Sequence, residues 1–205
     1  MTEQTDLWAI ERALRAQGHV RICGCDEAGA GPLAGPVYAA AVILPDGLTI
    51  PGLDDSKKLT AKKRDALFDV IRSQALAWAV ASVDAAEIDA TDILSARMKA
   101  MQLAIDQLDP APGFTLIDGN RDKGRSAAIT TPHQTVVHGD GLSASIAAAS
   151  ILAKVSRDRW MIQAAETWPE YEFEKHKGYG TKRHYELLRE HGPCPIHRRT
   201  FLKHL

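Results

Sequence analysis

Long apolar runs are missing from this sequence: nowhere in its 205 residues is there anything near the roughly 18 apolar positions that a membrane span needs. The opening "MTEQTDLWAIERALRAQ" lacks the basic-then-apolar order of a secretory leader, so the expectation is a soluble cytoplasmic protein. Cysteine is scarce too. Three thiols, Cys23, Cys25 and Cys194, are an odd number in a chain of this length, which argues against a disulfide framework and fits a reducing compartment. Cys23-x-Cys25 together with Cys194-x-x-His197 has zinc-ligand composition, but Cys23 and Cys25 sit in a strand-like run where small buried thiols are ordinary. Internal repeats, low-complexity segments and long linkers are absent as well. What is present is 45% hydrophobic content, enough for one main domain with a real core and a small appendage.

The net charge of -1 hides an asymmetry, because residues 174–205 hold eight Lys/Arg and five His against three Glu. A second basic cluster, Lys57, Lys58, Lys62, Lys63 and Arg64, follows "LDDS". Such runs are either solvated faces or nucleic-acid footprints, and charge alone leaves both open.

Periodicity predicts an α/β chain. An amphipathic helix covers Asp6 to Gln17; strands cover Val20 to Cys25, Val37 to Leu44 and Leu76 to Val83. Thr60 caps a helix running to about Gln74, and Asp84-x-x-Glu87 opens a short one. A longer helix runs from about Asp92 to Leu108 and stops at Asp109-Pro110. Phe114 to Ile117 is a short strand, and Ile129 to Val137 a fifth, broken by Pro132. Ser143 to about Ala165 makes a helix whose first half, "SASIAAASILAKV", has no polar face and is therefore buried. Thr181 to His191 forms a last helix. Trp168-Pro169 divides a sheet domain, 1–168, from a basic helical extension, 169–205.

Carboxylates mark the strand ends. In "GCDEAGAGPLAGP", Asp26 and Glu27 are adjacent, and adjacent strand residues point to opposite faces, so the expectation is that the chain bends there. Gly29, Gly31 and Gly35 permit a bend and leave backbone N–H groups bare for a ligand. Asp118 ends the fourth strand, and Asp140 precedes the buried helix. Asp140 reads either as a helix cap or as a ligand, and Asp118-Gly119-Asn120 either as a turn or as a site. Four clustered carboxylates raise one another's pKa unless cations neutralise them, and hard oxygen donors suit Mg²⁺ or Mn²⁺.

Six stretches in order, "GCDEAGAGPLAGPV", "DDSKKLT", "LIDGN", "GDGLSASIAAASILAKVSRDR", "HKGYGTKRH" and "HRRTF", resemble the ribonuclease HII family over nearly the whole chain. The resemblance implies a ribonuclease H-like fold: a five-stranded mixed sheet flanked by helices, with a small helical C-terminal extension. It implies endonucleolytic cleavage of the RNA strand of RNA/DNA hybrids. It also implies cutting 5′ to single ribonucleotides embedded in duplex DNA, leaving a 3′-hydroxyl and a 5′-phosphate. Residue by residue, it places the catalytic, metal-binding carboxylates on Asp26, Glu27, Asp118 and Asp140, with two divalent ions, Mg²⁺ or Mn²⁺, during catalysis. The backbone of Gly29, Ala30 and Gly31 falls on the ribose 2′-hydroxyl, and Tyr179 on the junction sugar and base. Ser56, Lys57 and Lys58 fall on phosphates, with Arg198 and Arg199 as helpers. Taken alone, Tyr179 also reads as a core or surface aromatic and His184 as a helix-surface residue. The partners implied are hybrid and ribonucleotide-containing duplexes, acted on by a monomer.

The family pattern is not complete. Gly-Arg-Gly is replaced by Gly29-Ala30-Gly31, and Lys-Gly-Asp-x-Lys-Ser by His138-Gly139-Asp140-Gly141-Leu142-Ser143. A hydrogen bond to a charged group is worth roughly 1.5 to 3 kcal/mol, so each missing phosphate contact predicts a loss on the order of tenfold. Turnover is therefore expected to suffer more than ribonucleotide selectivity, which needs only backbone. The rival reading is a catalytically weak relative that docks hybrid duplexes; a third is a metal-dependent nuclease without 2′-hydroxyl selectivity.

Overall fold

The computed structural model describes residues 6–203. Five strands, β1 (Ile22–Ala28), β2 (Val37–Ile43), β3 (Ala77–Val83), β4 (Phe114–Asp118) and β5 (His133–Val136), form one sheet in the order β3-β2-β1-β4-β5. The first three pair antiparallel, whereas β4 and β5 join in parallel, so the sheet is mixed. Seven α-helices surround it among the described residues: α1 (Ala9–Ala16), α2 (Ala61–Gln74), α3 (Ala85–Ala90), α4 (Ile93–Asp106), α5 (Ala144–Thr167), α6 (Phe173–His176) and α7 (Lys182–His191). No described helix is long and apolar enough to cross a membrane.

The period of two assigns each strand residue to a layer. Cys23, Cys25, Val37, Ala39, Ala41 and Ile43 pack with Met98, Met101 and Ile105 of α4. Ala28, Ala40 and Val42 face the other way, onto Ala148 and Leu152 of α5 and Leu67 and Phe68 of α2. Gly24 belongs to that second face and lets α5 lie directly on β1: a Cβ there would stand 2.1 Å from the Ser145 carbonyl carbon. The all-apolar first half of α5 is buried as its composition requires.

Most helix starts are capped as the sequence dictates. Thr60, Asp84, Asp92 and Ser143 each accept a hydrogen bond from the backbone N–H three residues on, a device worth about 1 kcal/mol. Ser143 is held in turn by buried Glu11 of α1, whose Oε1 accepts from the Ser143 hydroxyl at 2.6 Å and the Ser145 hydroxyl at 2.7 Å.

Two elements differ from expectation. β1 continues past Cys25 to Ala28, with Asp26 and Glu27 in register opposite Ala40 and Ala39; pairing with β2 holds the strand straight through the acidic pair. The bend comes at Gly29, whose φ of +91° is open to glycine at little cost. β5 begins at His133, because Pro132 has no N–H for the ladder. The short helix α6 and the 3₁₀ turns at Ser56–Lys58, Gly139–Gly141, Pro169–Tyr171 and Arg199–Phe201 are too brief to leave a hydrophobic period.

After α5 ends at Thr167, the chain returns to the glycine loop between β1 and β2. Leu33 N–H donates to Gly178 O, Gly35 N–H to Ile196 O and Arg198 N–H to Leu33 O, each at 2.8 Å. Leu33 and Ala34 pack with Met161, Tyr171, Phe173 and Leu187 in a core of their own.

Candidate active site

Strand parity sends the adjacent carboxylates to different layers. Glu27 shares the face of Cys23 and Cys25 and meets α4, where Arg97 Nη2 lies 2.6 Å from its Oε1. Asp26 shares the face of Gly24 and meets α5 at Ser150. They converge because they stand at the strand's end, beside the end of a parallel neighbour. Cys25 is level with Ile117, so Asp118 follows at the height of Asp26. Asp140 arrives on the Gly139–Gly141 turn, its N–H donating to Asp118 Oδ1 at 3.2 Å. Gly139 makes this approach possible, since a Cβ there would lie 2.5 Å from Ile146 Cδ1 and 3.2 Å from Asp118 Oδ1. Ser143, not Asp140, caps α5.

Burial and mutual repulsion dominate the electrostatics. Asp26 is pushed well above the usual carboxylate range by desolvation, then by the charges of Glu27 and Asp118. Glu27 is also raised, chiefly by burial, against the pull of Arg97. Asp118 is raised by burial and by Asp140. Lys57 Nζ binds Asp140 Oδ2 at 2.8 Å, which raises the lysine's own pKa. Two side-chain cations thus hold two of the four carboxylates, and no three His, Cys, Asp or Glu side chains among the described residues already close around one point. The donor set nevertheless suits a hard divalent cation. Every donor is an oxygen, the shifts register negative charge in want of neutralisation, and buried Glu27 Oε2 has no hydrogen-bond partner.

A cleft of about 260 Å³ opens beside the carboxylates, lined by Asp26, Glu27 and Gly29 to Gly31, with Ser56, Lys57, Arg64, Ser150, Lys154 and Tyr179 on its other walls. A larger cleft, about 420 Å³, beside α1 contains Asp6 as its lone titratable residue, so chemistry rather than volume selects the site. Of the residues expected from sequence, Gly29, Ala30, Gly31, Ser56, Lys57 and Tyr179 line the smaller cleft. Ser56 is buried, sharing a hydrogen bond with Ser150 at 2.7 Å. Tyr179 is exposed, with Lys154 Nζ and Arg157 Cζ each 5.6 Å from its ring centre.

Three expected contacts lie elsewhere. Lys58 is paired with Asp54 at 3.0 Å. Arg199 is outside the cleft, its Nη2 on Pro193 O at 3.2 Å. Arg198 is a correction: it is wholly buried, its guanidinium committed to the carbonyls of Gly29, Ala30 and Gly35. His184, read as surface, is likewise buried, bonded to His197 at 3.0 Å. Sequence reasoning missed Arg97, Ser150, Lys154 and Arg157. The signal for Arg97 was a cation inside the apolar "ILSARMKAMQLAI"; that for Arg157 was its place on the buried stripe of α5 between Ala153 and Met161.

The mixed sheet in the order β3-β2-β1-β4-β5 with its flanking helices is a ribonuclease H-like fold. Among curated relatives, the ribonuclease HII of Idiomarina loihiensis is 55% identical over 180 residues, 88% of this chain and 94% of that one. Among solved structures, the Archaeoglobus fulgidus ribonuclease HII, determined in complex with PCNA, superposes with a TM-score of 0.72 at 25% identity, covering 88% of this chain and 94% of that one. A Bst ribonuclease HIII in complex with Mn²⁺ shares the fold, with a TM-score of 0.60 at 20% identity over 88% of this chain and 66% of its own. The sequence profile of ribonuclease HII matches residues 23–204, and the chain belongs to the ribonuclease HII family. It is an endoribonuclease H.

Proposed function

We propose that this enzyme cleaves 5′ to single ribonucleotides in duplex DNA, as well as within the RNA strand of RNA/DNA hybrids, leaving a 3′-hydroxyl and a 5′-phosphate. The observation that carries this reading is Asp26 and Glu27 lining a cleft walled by bare glycine-loop backbone and by cations, with Asp118, hydrogen-bonded to the Asp140 backbone, near enough to act on the charge of Asp26. The four carboxylates would hold Mg²⁺ or Mn²⁺, which when bound lowers the pKa of an attacking water and stabilises the leaving 3′-oxygen. Lys57, Arg64 and Lys154 draw in the phosphates beside the scissile bond, and Lys58 and Arg199 add charge farther out. The loop amides of residues 29–31 meet the 2′-hydroxyl, the atom that separates RNA from DNA. The Tyr179 ring stacks on the junction sugar and base, where any nucleotide fits.

Ala30 lines the cleft without a cation, and Leu142, 42% exposed, offers none beside Asp140. Turnover is therefore attenuated while selectivity persists. A second reading, a hybrid-docking relative with little catalysis, is favoured by the pairing of Arg97 and Lys57 with two of the carboxylates. The deciding experiment compares a duplex with one ribonucleotide, an RNA/DNA hybrid and an all-DNA duplex, in Mg²⁺ and in Mn²⁺, with Asp118→Asn alongside. Incision 5′ to the ribonucleotide that vanishes in Asp118→Asn supports the enzyme; binding without incision in either metal supports the docking relative. Light scattering during the same binding runs tests our further reading that one copy acts alone.

A further inference from the structure

Beneath residues 29–36 lie two arginines, Arg157 of α5 and Arg198 near the C-terminal turn, both 0% exposed. A buried cation is costly unless it is paired or fully hydrogen-bonded. Neither arginine bonds a carboxylate here; every acceptor that they have is a backbone carbonyl of one loop. Arg198 donates through Nη2 to Gly29 O at 2.6 Å, through Nη1 to Ala30 O at 2.9 Å and through Nε to Gly35 O at 3.0 Å. Arg157 donates through Nε to Pro36 O at 3.0 Å and through Nη2 to Ala34 O at 3.1 Å. Gly29 is pressed against Arg157, since a Cβ at that position would lie 1.9 Å from its Nε.

Peptide planarity converts these contacts into a direction. In a trans peptide the carbonyl of one residue and the N–H of the next point oppositely. Gly29 O held by Arg198 turns the Ala30 amide away from the clamp, and Ala30 O held by the same guanidinium does so for Gly31. Both residues line the cleft, and neither amide has an acceptor among the described residues. The guanidinium's flat fork is suited to this task, because it fixes several acceptors in one plane where an ammonium is a point.

We propose that Arg198 and Arg157 are positioning residues for ribonucleotide selectivity, clamping the carbonyls of residues 29–36 so that the Ala30 and Gly31 amides face the ribose 2′-hydroxyl. This rests on the selectivity assigned above. It also explains how Gly29-Ala30-Gly31 serves without an arginine side chain at position 30: the clamp holds only the backbone of Ala30. Desolvation pushes Arg198 down to about 9, with Arg157 adding to the shift, which leaves Arg198 protonated at neutral pH.

The test places Arg198→Lys and Arg157→Lys in an Asp118→Asn background, where cleavage is silenced. Fluorescence anisotropy gives Kd for a duplex with one ribonucleotide and for its all-DNA counterpart, and circular dichroism checks the fold. Expected is a fall of about tenfold in the ratio of the two affinities for Arg198→Lys, the scale of one or two lost hydrogen bonds, and a smaller fall for Arg157→Lys. All-DNA affinity should change by less than about twofold, because phosphate contacts are untouched. With Asp118 restored, the kcat/KM preference should fall in parallel. Folded variants that keep the parent's ratio would overturn the proposal and leave the assigned function standing. Failure of both lysine variants to fold would make the arginines structural only, which also overturns it. A parent with no preference for the ribonucleotide overturns the assigned selectivity and the clamp together.

Discussion

The acidic cluster at the ends of β1 and β4 and the basic cluster beneath residues 29–36 both bury charge, and they treat it differently. Around Arg198, each of the three guanidinium nitrogens has a carbonyl to bond. Around Glu27, one buried carboxylate oxygen has no partner and the other depends on Arg97. Arg198 is completed by the chain itself and so can act as rigid scaffold, while Arg157 beside it keeps one buried nitrogen, Nη1, without an acceptor. The acidic cluster is left short of positive charge, as a site that draws cations from outside must be.

The largest way to break this contrast is to neutralise a carboxylate. Asp118→Asn should lower cleavage at least about a hundredfold, the scale of losing a group that stabilises transition-state charge, and should shrink the rise in melting temperature on adding Mn²⁺. An unaltered Mn²⁺ response would mean that the acidic cluster is not the cation site.

Acid acts on the two clusters with opposite sign. Burial pushes His184 and His197, which adjoin the arginine clamp, down to about 4, so between that value and 6.5 the unfolded chain binds more protons than the folded one. Their stability is full above about pH 6.5 and is lost as pH falls toward 4. Asp26, Glu27 and Asp118 are raised instead; their contribution is present at low pH and is lost as pH rises through their folded values. Melting curves in chelator should therefore show the histidine loss on acidification, flattened in His197→Gln. A curve unchanged by that substitution would assign the pH dependence to other groups.

Arg97→Gln sharpens the comparison at smaller scale. Removing its charge leaves Glu27 uncompensated, so metal-free stability should fall by about 1 to 2 kcal/mol, with Mn²⁺ restoring more melting temperature than in the parent. Smallest of all, Ala30→Arg should raise kcat/KM by up to about tenfold without changing ribonucleotide preference. A changed preference would show that the side chain at 30, and not the clamped backbone, reads the sugar.

Much of this was legible in the sequence because it rests on local chemistry. Thr60, Asp84, Asp92 and Ser143 cap helices wherever they precede a helical period, and "SASIAAASILAKV" has no face to expose. Asp26, Glu27, Asp118 and Asp140 were visible as acids at the ends of apolar runs. The extension of β1 through the acidic pair was not, because it is imposed by pairing with β2. Nor was the fate of Arg198 and Arg199. The two are identical neighbours in sequence, and the antiparallel bridge between Ala34 and His197 turns the first inward and leaves the second outside.

The hydrogen bond from Arg198 to Gly29 spans 169 residues, and that distance sets an order of events during synthesis. A nascent chain has already presented Asp26, Glu27, Asp118 and Asp140 long before residue 198 is made. Until then the loop lacks its clamp, and long-range closure comes late. Under the proposed clamp, the four acids are therefore synthesised well before the arginine that would orient the loop amides toward the sugar.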